Sequence, residues 1–209
     1  GAIIDSGNFD WSAHKDQFPG LTTPDPSYHG IVYTEKFGKT AYLVKATVQL
    51  MRDFGSTASP MNAFLLNIGL ETLHLRIPRH CSNAQAVAEY LAGHPKVAWV
   101  NYCGLPENKY HTLARKYLPE GSCGMLTLGL KGGRDHAIRF MDALRLVSIV
   151  THVADVRSCV LHPASHTHRQ LSDEQLVAAG VAPDLIRFSV GIEDIDDILA
   201  DVQQALEKA

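Results

Sequence analysis

The chain has 209 residues, 45% of them hydrophobic, and a formal net charge of −3. This length is enough for one large domain or two small domains with a sizeable apolar core. The near-neutral charge gives no support for a nucleic-acid or membrane-surface partner. No apolar run approaches the roughly 20 residues that span a bilayer, and no charged segment followed by an apolar one marks a secretory signal.

The four cysteines are Cys81, Cys103, Cys123 and Cys159, and no two of them form a CxxC pair. Scattered thiols of this kind are typical of a reducing compartment, so we expect a cytoplasmic protein without disulfides. The sequence starts Gly1-Ala2-Ile3-Ile4, with neither an initiator methionine nor a polar lead-in. We therefore expect it to be a piece of a longer polypeptide.

The first quarter of the chain predicts one strand, a long loop region and a helix. Ala2–Asp5 has the composition of a short strand, and residues 1–37 as a whole predict mostly irregular structure because they are rich in Gly, Pro and Asp. A long loop that carries aromatic side chains is either functional or an ordinary surface connection. Residues 38–54 have the apolar spacing of a helix, which Gly55 should end.

A second, longer helix is predicted to follow. Ser59-Pro60 should begin it, because proline is well tolerated in a first helical turn. Its apolar pattern continues towards Leu91, but Pro78 lacks the N–H group that an internal helical turn requires. We therefore expect a kink or break near Arg76, after which the helical pattern resumes at Asn83.

Strand and helix patterns alternate over the remaining residues. The strand patterns cover Val97–Tyr102, Gly124–Leu130, Val147–Val153, Ser158–Leu161 and Asp184–Val190. The helical patterns cover Lys109–Tyr117, Asp135–Leu146, a helix opened by the capping-box spacing Ser172-Asp173-Glu174-Gln175, and a last helix from Ile195 to Leu206. The order predicts a mixed α/β class: an α+β unit of about four strands with covering helices, preceded by part of another domain.

The strand Asp184–Val190 contains the strongest candidate site residue. Its alternation places apolar side chains on one face and Arg187 and Ser189 on the other. An unpaired buried charge costs several kcal/mol, and the planar guanidinium of arginine suits a carboxylate bidentately. Spacing alone leaves two alternatives equally open for Arg187, namely a bound anionic ligand and a salt bridge to an acidic residue of the next helix.

Three other groups of polar residues have weaker patterns. His162, His166 and His168 lie within seven residues, but no carboxylate or cysteine stands at ligand spacing beside them, so we expect hydrogen-bonded or surface histidines and no metal site. Lys131-Gly132-Gly133-Arg134 fits an anion-binding turn less well than a plain strand–helix turn. Glu71 with Arg76 and Arg79 favours structural ion pairs.

Several segments, in this order, resemble the Cys/Met-metabolism family of pyridoxal-phosphate (PLP) enzymes. They are Arg79-His80-Cys81 with Asn83-Ala84, Pro95-Lys96-Val97 through Gly104-Leu105-Pro106, His162-Pro163-Ala164-Ser165 with Thr167-His168, and Arg187-Phe188-Ser189-Val190-Gly191-Ile192-Glu193-Asp194. The loop at residues 7–30 is similar to an insertion of the O-acetylhomoserine sulfhydrylase subgroup. The resemblance covers essentially the whole chain.

The resemblance implies the C-terminal part of an aspartate aminotransferase-like, fold type I enzyme. Residues 1–72 would complete the PLP-binding large domain, and residues 73–209 would form the C-terminal small domain. The implied reaction is a γ-replacement, in which acetate leaves O-acetylhomoserine and sulfide or methanethiol takes its place, in a cytoplasmic homotetramer. Alternatives are cystathionine γ-synthase or methionine γ-lyase chemistry, or a non-catalytic assembly or binding module.

The resemblance also assigns site residues. Arg187 matches the family arginine that binds the substrate α-carboxylate, and His152 stands where an asparagine or serine normally helps to bind it. Ala154 stands where the subgroup has glycine. The Schiff-base lysine and most of the PLP site fall upstream of Gly1 in the family pattern, so we expect no catalytic residue here and a requirement for the N-terminal half of the enzyme as partner.

Overall fold

The computed structural model describes residues 2–209. The chain divides into two compact units, one ending at Asn67 and the other running from Ile68 to Ala209. No helix within residues 2–209 is long and apolar enough to cross a bilayer.

The first unit is built from short helical segments. These are α1 (Pro19–Thr22), α2 (Tyr33–Phe37), α3 (Ala41–Lys45) and α4 (Arg52–Phe54), with 3-10 turns at Trp11–His14 and Gly38–Thr40 and a π-helical turn at Ala46–Met51. Residues 38–54 are therefore helical throughout, as predicted. Gly55 ends the segment with φ 67°, a left-handed conformation that glycine adopts without steric cost.

The predicted strand Ala2–Asp5 is wrong. Residues 2–10 contain no strand, and the side chain of Ile4 is 92% exposed. A strand needs a neighbour for its N–H and C=O groups, and no segment of the described chain pairs with this one. The loops that follow are held by side chains: Lys45 forms an ion pair with Asp25 at 2.6 Å, and the hydroxyl of Tyr33 donates to Gln49 at 2.9 Å.

The long helix is interrupted, but not at its proline. Helix α5 (Pro60–Glu71) ends before Thr72, and α6 (Leu73–Ala92) contains Pro78. The Thr72 carbonyl accepts from the N–H groups of Leu75 and Arg76, both at 3.1 Å, which starts a new helix. Pro78 then lies in the second turn of α6, where it cannot donate the hydrogen bond that an N–H group would make to the His74 carbonyl, yet the helix continues to Ala92.

The second unit contains a five-stranded sheet. Its strands are β1 (Val97–Asn101), β2 (Met125–Leu130), β3 (Ser148–Ile149), β4 (Cys159–Leu161) and β5 (Leu185–Ser189), in the order β1-β2-β5-β4-β3. All neighbours are antiparallel except β3 and β4, which are parallel. All five strand patterns enter the sheet, where about four strands were expected, and the pattern at 147–153 forms only the two-residue β3 along the outer edge of β4.

One face of this sheet is covered by helices. They are α6, α8 (Gly133–Ala143) and α10 (Ile195–Lys208); α7 (His111–Tyr117) and α9 (Asp173–Ala178) connect strands, and α9 begins with the predicted capping box. Leu128, Phe140, Phe188 and Val202 are fully buried in the resulting core. Because the apolar side chains of β5 face this core, Arg187 and Ser189 lie on the opposite face of the sheet.

Candidate functional site

Arg187 lies at the middle of β5, where it pairs with Thr127 of β2 and Leu161 of β4. Its Nη2 group donates to the carbonyl oxygen of Thr151 at 2.8 Å and more weakly to that of His152 at 3.4 Å. Both carbonyls belong to the segment that joins β3 to β4, whose residues 151–158 we call the 151–158 loop. The main chain of this loop therefore orients the guanidinium.

The salt-bridge alternative for Arg187 is not formed. Within residues 2–209, no carboxylate lies within 4 Å of its guanidinium. The acidic residues after β5 have other partners, since Glu193 binds Ser158 and Asp194 accepts from the N–H group of Asp196 at the start of α10. The Nε and Nη1 groups of Arg187 have no acceptor in the described chain, so they are available to an external carboxylate.

The 151–158 loop is fastened to the polar face of the sheet. The N–H group of Ala154 donates to Ser189 Oγ at 3.1 Å, and the thiol of the buried Cys159 donates to the His152 carbonyl at 3.3 Å. Ala154 has φ 59°, a left-handed conformation that favours glycine. This explains physically why glycine suits position 154 in the subgroup that the sequence resembles.

The His152 side chain extends towards solvent beside this contact. It is 62% exposed, and its Nδ1 atom lies 3.7 Å from the carboxylate of Asp155. Hydrogen bonds from Arg157 lower the pKa of Asp155 to about 2, so this carboxylate is ionised at neutral pH. A cavity of about 70 Å³ lies against the loop and is lined by Ser148, Val150, His152, Asp155, Arg157, Ser158 and Cys159.

The carboxylate of Glu193, in the segment after β5, holds the other end of the loop. Glu193 accepts from the N–H group of Ser158 at 2.6 Å and from its hydroxyl at 3.0 Å. Neither Ser158 nor its contact with Glu193 was predicted from the sequence. The signal that was present is Gly191, because a glycine at a strand end often marks a close approach of backbone.

The histidine cluster is held by hydrogen bonds. His162 is fully buried, with Nδ1 2.8 Å from Ser165 Oγ and Nε2 2.8 Å from the Pro183 carbonyl. Burial lowers the pKa of His162. The Nδ1 atom of His166 lies 3.1 Å from the His162 carbonyl, and that of His168 lies 2.9 Å from Thr167 Oγ1. In residues 2–209, no three or more His, Cys, Asp or Glu side chains are arranged to hold a metal ion.

The other two polar groups have structural partners. Gly132, with φ 101°, begins α8, and Arg134 pairs with Asp173 of α9, as expected of a plain strand–helix turn. Arg79 donates to the Glu193 carbonyl at 3.1 Å and lies 3.9 Å from Asp194. The predicted pairing of Arg79 is therefore with the segment after β5 and not with Glu71.

Two lysines of this chain are partly buried, and both have hydrogen-bond partners. Lys45 and Lys96 are partly buried. Lys45 is engaged by Asp25 and by the Gly20 carbonyl, at 2.6 and 2.7 Å. Lys96 donates to the carbonyls of Leu206, Glu207 and Ala209 at the end of α10, at 2.7 to 3.1 Å. Neither amine is therefore free to form a Schiff base.

Comparison with known proteins identifies the family of this chain. The model of a family described as Cys/Met metabolism PLP-dependent enzyme matches residues 26–207. The chain is 50% identical over its whole length to a homocysteine synthase of Schizosaccharomyces pombe, of which it covers 49%. It is 46% identical over 99% of its length to O-acetyl-L-homoserine sulfhydrylase 1 of Thermus thermophilus, of which it covers 48%.

A solved structure from Campylobacter jejuni shares the fold. That protein is described as an O-acetylhomoserine (thiol)-lyase and holds a pyridoxyl-lysine monophosphate; it superposes with a TM-score of 0.78 at 40% identity, over 92% of this chain and 45% of its own. The predicted α/β class and the assignment to part of a fold type I PLP enzyme are thereby confirmed. The chain spans about half the length of these relatives.

Proposed function

The chain belongs to the Cys/Met-metabolism family of PLP-dependent enzymes, and from that membership we propose that the intact protein is an O-acetylhomoserine sulfhydrylase. Acetate leaves the γ-carbon of O-acetylhomoserine, and sulfide or methanethiol adds there to give homocysteine or methionine. The observation that supports this reading best is the guanidinium of Arg187, which is oriented by two backbone carbonyls and has no carboxylate partner in residues 2–209.

This chain contributes the end of the site that binds the amino acid. Arg187 binds the substrate α-carboxylate through its free N–H groups, and His152 stands beside it on the 151–158 loop as a second contact for the same group. PLP, when bound, supplies the electron sink for cleavage at the γ-carbon. A carboxylate held at a fixed point orients the γ-carbon for its leaving group and its nucleophile.

The remaining assignments concern the intact enzyme. Residues 1–72 complete the PLP-binding domain, and residues 73–209 form the small domain that binds substrate. The N-terminal half supplies the Schiff-base lysine and most of the PLP site, and the whole assembles as a cytoplasmic homotetramer. The length of the relatives, about twice that of this chain, supports the N-terminal half, and their names, homocysteine synthase and O-acetyl-L-homoserine sulfhydrylase 1, support the reaction.

Replacement of Arg187 tests the proposal in the intact enzyme. Lysine keeps the positive charge but loses the bidentate fork, so Arg187→Lys should raise the KM for O-acetylhomoserine roughly 30- to 140-fold, the equivalent of about 2–3 kcal/mol. The absorbance of bound PLP should not change. The measurement is steady-state kinetics together with the visible spectrum of the purified variant.

A matched control is Arg139→Lys. Arg139 is exposed on α8, which packs against the opposite face of the sheet, so its variant should keep the parent KM. An Arg187 variant that loses PLP while its KM stays normal would mean that the arginine is structural. Assays with O-succinylhomoserine or cysteine in place of the proposed substrates separate this activity from cystathionine γ-synthase chemistry.

A further inference from the structure

We propose that Glu193 is a positioning residue for the carboxylate-binding site. It fixes the 151–158 loop, whose backbone carbonyls orient Arg187. Glu193 itself touches neither Arg187 nor the proposed substrate position. The inference rests on the proposed function, because it assigns to Glu193 a share in the substrate affinity that Arg187 provides.

Glu193 is in direct contact with Ser158. The two carboxylate oxygens of Glu193 receive the N–H group of Ser158 at 2.6 Å and its hydroxyl at 3.0 Å. Ser158 is fully buried, and its hydroxyl oxygen also accepts from the N–H group of Gly191 at 2.8 Å. A charged acceptor that satisfies two donors of one buried residue gives a stronger hold than neutral groups could.

The turn after β5 is closely packed around this contact. A Cβ atom added to Gly191 would lie 2.2 Å from Glu193 Oε2 and 2.5 Å from both the Ser158 nitrogen and the Val156 carbonyl oxygen. Asn83 of α6 donates to the carbonyls of Gly191 and Glu193 at 3.0 and 2.9 Å, which fixes the turn after β5 to the helical layer. The carboxylate of Glu193 therefore stands on a rigid base.

The 151–158 loop connects the Glu193 contact to Arg187. The Ile192 N–H group donates to the Val156 carbonyl at 2.9 Å, so the end of the loop is tied to the turn at two points. At its other end the loop is tied to β5 through Arg187 and through Ser189, which accepts from Ala154. If Glu193 releases Ser158, the Thr151 and His152 carbonyls keep the nearer contacts of Ala154 and Cys159 but lose the support of the Ser158 end, so the orientation of Arg187 becomes less tightly fixed.

The experiment is Glu193→Gln in the intact enzyme. Glutamine keeps the size and the acceptor for the Ser158 N–H group, but it removes the charge and the acceptor for the Ser158 hydroxyl. We expect the KM for O-acetylhomoserine to rise roughly three- to tenfold, which is within the usual range of coupling energies between neighbouring residues. The kcat should change less than twofold, and the absorbance of bound PLP should not change. Ser158→Ala, which removes the same hydrogen bond from the other side, should have a similar effect.

The double variant separates a positioning role from a merely structural one. If Glu193 acts through Arg187, adding Glu193→Gln to Arg187→Lys should raise the KM little beyond the value for Arg187→Lys alone. Glu207→Gln, an exposed site near the end of α10, should leave all parameters unchanged. The inference is overturned if Glu193→Gln leaves the KM unchanged, if its effect multiplies in full with that of Arg187→Lys, or if it lowers only kcat, PLP content or stability.

Failure of this inference differs from failure of the proposed function. If Arg187→Lys raises the KM and Glu193→Gln does not, only the role of Glu193 is wrong. If Arg187→Lys itself leaves the KM for O-acetylhomoserine unchanged, the proposed carboxylate site is wrong, and the role of Glu193 falls with it.

Discussion

Ala154 holds the 151–158 loop in a conformation that its own side chain disfavours. Its φ of 59° brings its N–H group to Ser189 Oγ, so the left-handed turn is what connects the loop to β5. A side chain in this region costs roughly 1–2 kcal/mol, whereas glycine adopts it freely. Part of that strain is offset in the unfolded state, where glycine has more conformational freedom to lose than alanine.

Ala154→Gly should therefore stabilise the protein. We expect the free energy of unfolding to rise by about 0.5–1 kcal/mol, measured by denaturant unfolding. The matched control is Ala200→Gly, an exposed position inside α10, which should lower it by about 1 kcal/mol because glycine is unfavourable in a helix interior. A loss of stability in Ala154→Gly would show that the alanine methyl group contributes more than the strain costs.

The buried His162 predicts a dependence of stability on pH. Burial lowers its pKa in the folded state, while the unfolded chain has the ordinary value near 6.5. Between these two values the unfolded state binds more protons, so stability should fall as the pH is lowered below about 6.5. His94, whose pKa burial also lowers, acts in the same direction.

The measurement is the unfolding midpoint of the protein between pH 7.5 and 5. His162→Gln retains an N–H donor for the Pro183 carbonyl and removes the titrating ring, so it should reduce the slope of stability against pH. His166→Gln is the control, because His166 is exposed. Equal slopes in both variants would contradict the assignment to His162.

At the scale of elements, the sequence predicted type better than position. The alternation of β5 placed Arg187 and Ser189 opposite the apolar core, and the capping box placed the start of α9. The break between α5 and α6 was predicted near Arg76 but lies at Thr72, and Pro78 stands inside α6. Ala2–Asp5 failed as a strand because composition does not show whether a pairing partner exists.

The candidate site, too, could be predicted only in part from the sequence. Strand periodicity identified Arg187 as an unusual charge, but it could not choose between a salt bridge and a ligand. That choice depends on the path of the 151–158 loop, which brings two carbonyls from 35 and 36 residues away to the guanidinium. The contact of Glu193 with Ser158 could not be predicted, because it spans 35 residues and leaves no local pattern.

At the scale of the molecule, α5 presents an exposed apolar surface. None of its residues is buried, and Phe64, Leu65, Leu66 and Leu70 are each 57 to 62% exposed. A helix that is apolar all round is normally buried on all sides. Because related proteins are about twice as long as this chain, we expect the remainder of the enzyme to cover α5.

Leu66→Ala in the intact enzyme tests this expectation. If the remainder of the protein covers Leu66, the change should lower the free energy of unfolding by about 2–5 kcal/mol, as for a core leucine. Leu113→Ala on α7, where the side chain is 50% exposed, should change it by about 0.5 kcal/mol or less. Effects of equal, small size at both positions would show that α5 stays exposed.

The contacts that hold Arg187 determine which mutations its site can tolerate. Its two anchors are main-chain oxygens, and these are present whatever side chains stand at positions 151 and 152. Replacement of the Thr151 side chain therefore leaves both anchors of the arginine in place. Because His152 is also the proposed second contact for the substrate carboxylate, a library randomised at Thr151 alone should stay rich in folded variants that keep the parent KM.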